Sequence, residues 1–377
     1  MPDPTLIDPR APTRRGRKGA KQEAILGEIR QRILSGAYRP GDKIPTQVEL
    51  MKEFRVSSIT IQAVMERLIQ QKFVRAKRGQ GTFITDAPPH LRHYAVAFQR
   101  DPDSGLGWSK AHQALVDAGE QINEAGEYRL SYFRHLDAAA PNDDYWRLTR
   151  MVQNQQIAGI IFPAMPNFLF NTPIVKAPGI ARVCIASAVN PAARHIPIVS
   201  STALRTQEKK MLHYFLEAGV QRLASFHWKA DFLERWMDFM PLLAEAGIHT
   251  RMHWAFQASP VLPQALIPCA RLLMDLPPNE RPDGILIYDD HLSQAVEKGL
   301  LLANDAEVYN LKILTHCNFP DHDTHLLPVK RIGRDSHRVL HTCIDIIDRQ
   351  QRGETVPQAT MVEDVFDHEL PAERREF

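Results

Sequence analysis

The stretch Gly41–Ile84, GDKIPTQVELMKEFRVSSITIQAVMERLIQQKFVRAKRGQGTFI, decides how this 377-residue chain is read. Thr46 follows Pro45 and precedes a helically spaced run of Val48, Leu50, Met51 and Phe54, so Thr46 is the expected N-cap. A break at Arg55-Val56 follows. Ser57 then opens a second run, in which Ile61, Val64, Met65, Leu68 and Ile69 share one helical face. Two helices separated by a turn of about three or four residues make a helix-turn-helix, whose second helix enters the major groove of DNA. After Gln71-Lys72 the pattern becomes strand (Phe73–Lys77), turn (Gly79-Gln80-Gly81) and strand (Thr82–Thr85). The glycines supply the positive φ of a tight hairpin. Arg75, Lys77 and Arg78 charge that hairpin where a phosphate backbone would be attracted. Each piece alone is weak, since an αα-hairpin or a plain turn reads the same way. Their order is far more specific.

In that order the pieces resemble the winged helix-turn-helix of the GntR family. The resemblance rests on Pro40-Gly41-Asp42-Lys43-Ile44-Pro45, on Val56-Ser57 followed by Thr60-Ile61, and on Arg78-Gly79-Gln80-Gly81-Thr82-Phe83. It implies that Ser57, Ser58, Thr60 and Gln62 lie near bases or phosphates, because the first turn of a recognition helix points into the groove. Ser57 has a competing role as helix N-cap. Arg78 and Gln80 on the wing, with Thr46 and Gln47 at a helix N-terminus suited to a phosphate, would contact backbone. The chain departs from the family at Ser58 and Gln62, where Arg is usual. Gln still pairs well with adenine, so DNA binding is expected while the family's operator does not carry over.

Charge supports this. Net charge is only +2, but residues 1–85 hold 17 Lys and Arg against 8 Asp and Glu, and the remainder 29 against 36. A basic head on an acidic body points to a polyanionic partner at the head. Residues 1–18, proline-rich and then basic, read as a flexible arm that follows a DNA groove or is simply a solvated tail. Residues 19–85 form the DNA-binding domain, its first helix at Lys21–Ala37 carrying Ile25, Ile29 and Ile33 on one stripe with Leu26 and Leu34 beside it. Residues 86–93 (DAPPHLRH) are a semi-rigid linker. No apolar run is long enough for a bilayer, Ile157–Phe170 being broken by Pro163 and Pro166. The start lacks a secretory h-region. Four separated cysteines without a CxxC are expected as free thiols in a cytoplasmic protein.

Residues 94–377 alternate strand and helix, which predicts an α/β fold with mostly parallel, Rossmann-like sheets. Strands are expected at Tyr94–Phe98, Tyr128–Phe133, Ile157–Phe162, Ala181–Ala186, His195–Ser200, Arg222–His227, Arg251–Phe256, Gly284–Tyr288, Lys312–His316 and Thr360–Phe366. Helices are expected at Ser109–Glu124, Asp143–Gln155, Thr206–Ala218, Asp231–Ala246, Leu262–Leu276, His291–Leu302 and His337–Gln350. The length suits two sheets, with a ligand at the carboxyl ends of the strands.

This body resembles the two-subdomain, periplasmic-binding-protein-like effector domain of the LacI/GalR family, through Ile157–Phe162, Leu216–Ala224, Leu243–Ile248 and Arg281–Asp290. The resemblance implies a ligand-binding Arg at Arg235, a ligand-binding Asp at Asp290, and a further acidic position that here is Asn318. Arg and Asp give paired hydrogen bonds to adjacent hydroxyls, so a sugar or sugar derivative is the expected effector. Trp108 could stack on a sugar face. The plainer readings are a surface ion pair for Arg235 and Asp290 and a packing residue for Trp108. Ser187-Ala188 stands where many relatives carry an acidic residue, so the effector is unusual or the pocket vestigial. His316, Asp321, His322, Asp323 and His325 lack a known metal-ligand spacing and read as a polar loop, so no metal or cofactor is expected. The reading is a dimeric DNA-binding regulator, by family habit a repressor of a palindromic operator, released by a small ligand. The alternatives are a body that only dimerises, or an α/β enzyme localised by the head. No Ser-His-Asp motif, P-loop or HExxH favours an enzyme.

Overall fold

In the computed structural model of the protein, residues 17–34, 37–70, 73–85, 92–99, 109–187, 190–200, 204–227, 232–259 and 261–374 are described. Residues 1–16 of the predicted 1–18 arm, most of the linker and Trp108 lie outside them, while Arg17 and Lys18 belong to the first helix and not to the arm.

In the head, the isoleucine stripe makes α1 (Arg17–Leu34), which begins before the expected Lys21. It packs Ile25, Leu26, Ile29 and Ile33 against residues of α2 (Gln47–Phe54) and α3 (Ser58–Gln70). Leu50, Ile61, Val64, Leu68 and Phe73 complete this core and are fully buried. Each such side chain withdrawn from water is worth about 1.5–3 kcal/mol. The wing is β1 (Val74–Lys77) paired antiparallel with β2 (Gly81–Ile84). Its turn uses positive φ at Gly79 and Gly81, which glycine adopts without a Cβ clash. Asp42–Ile44 runs alongside, Ile44 N donating to Thr82 O and Ile84 N to Asp42 O.

The body follows as β3 (His93–Ala97), α4 (Lys110–Glu124), β4 (Arg129–Phe133), α5 (Asp143–Gln153), β5 (Gly159–Phe162), α6 (Pro173–Lys176), β6 (Ala181–Ile185) and β7 (Ile198–Ser200). Next come α7 (Leu204–Glu217), β8 (Leu223–His227), α8 (Phe232–Glu245), β9 (Ala255–Gln257), α9 (Leu266–Met274), β10 (Gly284–Ile287), α10 (Asp290–Leu301), β11 (Lys312–Phe319) and β12 (Val329–Asp335). The chain ends with α11 (Ser336–Gln351), β13 (Ala359–Met361) and β14 (Val365–Phe366).

The strands form two sheets, ordered β4-β3-β5-β6-β7-β13 and β9-β8-β10-β11-β12-β14. Apart from the last strand in each, the two orders are the same doubly wound pattern, with parallel neighbours. The resemblance reaches single residues. Gly159 and Gly284 open the equivalent strands β5 and β10, and neither has room for a Cβ. At Gly159 it would meet Ile347 at 2.6 Å and the Ala181 carbonyl at 2.9 Å, and at Gly284 it would meet Val220 at 2.6 Å.

The chain divides into two compact units. One comprises residues 1–101, 120–199 and 341–360, and so contains the head with the first sheet. The other comprises residues 102–119, 200–340 and 361–377.

Several boundaries differ from expectation. His93 belongs to β3, not to the linker. Arg251–Phe256 is a 3-10 turn (Met252–Trp254) before β9, because Trp254 is drawn into the core beneath Arg251. The Leu262–Leu276 helix begins with a 3-10 turn at Pro263–Ala265. Thr360–Phe366 is two short strands on different sheets: β13 extends the first and β14 runs antiparallel to β12 in the second. β12 itself (VKRIGRD) was not expected. Its charged side chains hide the strand pattern, and its pairing with β11 supplies what the pattern lacks.

Candidate functional site

Two regions carry the predicted residues. The first is the DNA-facing side of the head. Thr46 caps α2 through a capping box: Glu49 N donates to Thr46 Oγ1 at 3.3 Å, and Thr46 N donates to Glu49 Oε2 at 2.7 Å. The bonds that Thr46 donates to Glu49 Oε2, from its N and from its Oγ1 at 2.8 Å, hold the exposed Glu49 carboxyl below its ordinary range. The cap fixes where α2 starts and therefore where Gln47 projects. Arg55 closes α2 in the left-handed conformation, which turns the chain sharply into α3. Ile61, Val64, Met65 and Leu68 pin one face of α3 into the core. The opposite face, with Ser58, Ile59, Gln62 and Glu66, is exposed.

Ser57 Oγ lies 3.1 Å from Thr60 Oγ1, so these two hydroxyls engage each other across the first turn. Gln62 Nε2 donates to Glu66 Oε1 at 3.1 Å. Thr46, Gln47, Gln62 and Glu66, with Lys43, line one open groove of about 620 Å³ between α2, α3 and the wing. Arg78 and Gln80 are exposed at the wing turn, and Ser57, Ser58 and Thr60 sit at the start of α3; none of the five lines that groove. Ile59 was missed in the sequence, although it is 75% exposed. Its place between Ser58 and Gln62 was the available signal.

The second region lies at the carboxyl ends of β10 and β11, which place Asp290 and Asn318 side by side. Asn318 Nδ2 donates to Asp290 Oδ2 at 2.9 Å, and the two residues are 3% and 9% exposed. Asp289 caps α10 by accepting from His291 N. His291 Nδ1 lies 2.7 Å from Asp289 Oδ1 and 3.1 Å from Asp290 Oδ1. Lys110 Nζ donates to the Asp290 carbonyl at 2.9 Å and pairs with Asp323. Burial pushes the Asp290 carboxyl up, but hydrogen bonds from His291 and Asn318 and the nearby charges of His291 and Lys110 outweigh it, so it stays ionised below its ordinary range. For His291, burial alone would lower the pKa, yet Asp289 and Asp290 raise it to about 9. Asp290 is therefore a buried carboxylate with protein partners rather than an exposed cleft-mouth group. An acid at 318 would face it with like charge, and the amide there removes that repulsion.

Lys110, His291 and Asp289 were not singled out from the sequence. His291 had a signal, standing next to Asp290 at a helix start. Lys110 had none, being distant in the chain. The Arg235 side chain and Trp108 lie outside the described residues. The His/Asp loop after β11 divides among separate partners. His325 Nδ1 meets the fully buried Glu297 at 2.7 Å, and Glu297 also accepts from Leu326 N and Leu327 N. His322 meets Asp117 at 3.2 Å. These contacts anchor a loop. Among the described residues, the side chains close enough to share a metal ion are Asp289, Asp290 and His291, whose atoms are already engaged with one another.

Residues 21–84 match the model of the bacterial regulatory proteins, gntR family. The chain is 34% identical over 62 residues to the mannosyl-D-glycerate transport/metabolism system repressor MngR of Escherichia coli, covering 16% of this chain and 26% of that protein. It is 36% identical over 66 residues to the arabinose metabolism transcriptional repressor of Halalkalibacterium halodurans, covering 18% of each chain. The chain thus matches about a quarter or less of the length of these two relatives. Among solved structures, a LacI family transcriptional regulator from Bifidobacterium animalis subsp. lactis aligns with TM-score 0.50 and 15% identity, over 74% of this chain and 96% of that one. A probable maltose operon transcriptional repressor malR aligns with TM-score 0.53 and 11% identity, over 76% and 99%. Among the described residues, no helix is long and apolar enough to cross a membrane. Residues 21–84 are a helix-turn-helix domain of the gntR type, and the body carries the fold of LacI-type regulators.

Proposed function

We propose that this protein is a DNA-binding transcriptional regulator of the cytoplasm, without catalytic activity, that works as a dimer on a two-fold operator. The observation that carries this reading is the exposed N-terminal end of α3, with Ser57 just before it and Ser58 and Gln62 on it, standing beside a charged wing on a head whose apolar face is buried in its own core. Residues 19–85 bind DNA, with Thr46, Gln47, Arg78 and Gln80 on the backbone and Ser57, Ser58, Thr60 and Gln62 nearer the bases. Residues 94–377 dimerise and bind a small effector, a sugar or sugar derivative, whose binding relieves repression. Asp290 and Asn318 supply acceptor and donor to its hydroxyls, and Arg235 and Trp108 complete the site.

What supports the effector assignment is a carboxylate kept ionised at the end of a parallel strand, where ligands of such sheets bind. The resemblance of the head to repressors of sugar and sugar-derivative metabolism points the same way. A thermal-shift screen of the purified chain against sugars, sugar phosphates and nucleosides tests it. A ligand of the folded state raises the midpoint, and Asp290→Ala or Arg235→Ala should abolish the rise. If no compound shifts the midpoint while operator DNA still binds, the sensor role is lost and the body is a dimerisation scaffold.

A further inference from the structure

We infer that each head reads an A·T pair through α3, with Gln62 on the adenine and Ile59 against a thymine methyl. This rests on the reading of the head as a major-groove binder and names what it selects. Ile59 is 75% exposed, an apolar β-branched residue held in water on the first turn of α3. Ser58, Ile59 and Gln62 share one helix face, since residues three or four apart are neighbours on a helix. With Ser at 58 and Gln at 62, this face has no cation to pair with the two acceptors of guanine, the commonest specific contact in the major groove.

The face instead offers one amide and one apolar group. Gln62 Nε2 already donates one hydrogen to Glu66 Oε1 at 3.1 Å. That bond settles which way the amide points, leaving the second Nε2 hydrogen and Oε1 for an outside partner. Adenine presents N7 as acceptor and its N6 amine as donor, the complement of that pair; guanine presents two acceptors and would leave Oε1 opposed by O6. Glu66 adds negative charge to the same groove, which penalises acceptor-rich guanine further. An A·T pair also carries the thymine C5-methyl on the same edge, the one apolar group the major groove exhibits. Ile59 is placed to cover it.

The test uses the full-length protein. A randomised duplex library is selected for binding, and the recovered site is titrated by fluorescence anisotropy with single replacements of thymine by uracil, which lacks the methyl, and of adenine by 7-deazaadenine, which lacks N7. The expected result is an enriched A·T pair in each half-site. One uracil replacement should then weaken binding about fourfold, the worth of one methyl, and the loss should vanish in Ile59→Ala. The 7-deazaadenine loss should vanish in Gln62→Ala. Both positions are exposed, so each variant should melt with the parent. Enrichment of G·C at the positions protected by α3, or parental affinity unchanged by every uracil replacement, overturns the assignment while leaving DNA binding intact. Recovery of no duplex even at low salt overturns the DNA-binding reading itself.

Discussion

At the residue scale, Asp290 shows how a buried charge is kept. Its carboxylate sits between the Asn318 amide and the His291 imidazole, so an acid in place of the amide should be felt at once. Asn318→Asp sets two carboxyls together and raises the pKa of one of them. The variant should lose about 1–3 kcal/mol at pH 7, and the loss should shrink toward pH 4 as the raised group protonates. Denaturant midpoints at the two pH values measure this; an equal loss at both would exclude the repulsion. The histidine gives the opposite sign. Its folded pKa is raised from 6.5 to about 9, so its contribution is complete below pH 6.5 and is lost as pH rises through 9. His291→Gln should therefore melt well below the parent at pH 6 and approach it at pH 9.5. A constant gap would show that the imidazole stays neutral.

At the scale of elements, two contacts carry specific expectations. Gly299 in α10 lies so close to α9 that a Cβ would meet the Ile267 carbonyl at 2.4 Å. Main chain cannot swing away as a side chain can, so Gly299→Ala should cost about 1–3 kcal/mol, despite the better helix propensity of alanine. A stabilised variant in urea titration would mean the helices separate freely. The second contact joins head to body within one unit. Arg30 Nη1 of α1 donates to the Asn154 carbonyl after α5 at 2.5 Å, and Gln155 donates to Gln31 at 3.1 Å. Burial lowers the Arg30 pKa to about 10, and the guanidinium also lies over the Phe73 ring. Arg30→Gln removes the bond to Asn154. Hydrogen exchange should then quicken in α1 and in residues 153–156 together; a change confined to α1 would show that this contact does not hold the head.

At the scale of the whole molecule, the proposed coupling has a thermodynamic test that needs no knowledge of its route. If the effector weakens DNA binding by some factor, DNA must weaken effector binding by the same factor. Titrating effector into free and operator-bound protein should give dissociation constants in that ratio. The same dissociation constant for free and operator-bound protein would mean that the two sites are not coupled.

How much was legible in the residues follows from the range of the forces involved. The head was readable because its signals are local: Thr46 and Glu49 are one turn apart, the apolar face of α3 repeats within one helix, and the wing glycines act on their own φ. The alternation of strand and helix in the body was equally local, and it sufficed to predict parallel sheets. What needed tertiary structure is whatever depends on partners far along the chain. β12 is a strand because β11 pairs with it, and not because VKRIGRD prefers to be one. Gln62 is oriented by Glu66, within reach of sequence reasoning, but Lys110 reaches Asp290 only because the fold closes a separation of 180 residues. Asp290 and Asn318 could be named from the chain; that Asp290 is a buried carboxylate held ionised by His291 and Asn318 could not, because burial and hydrogen bonding are properties of the packed structure.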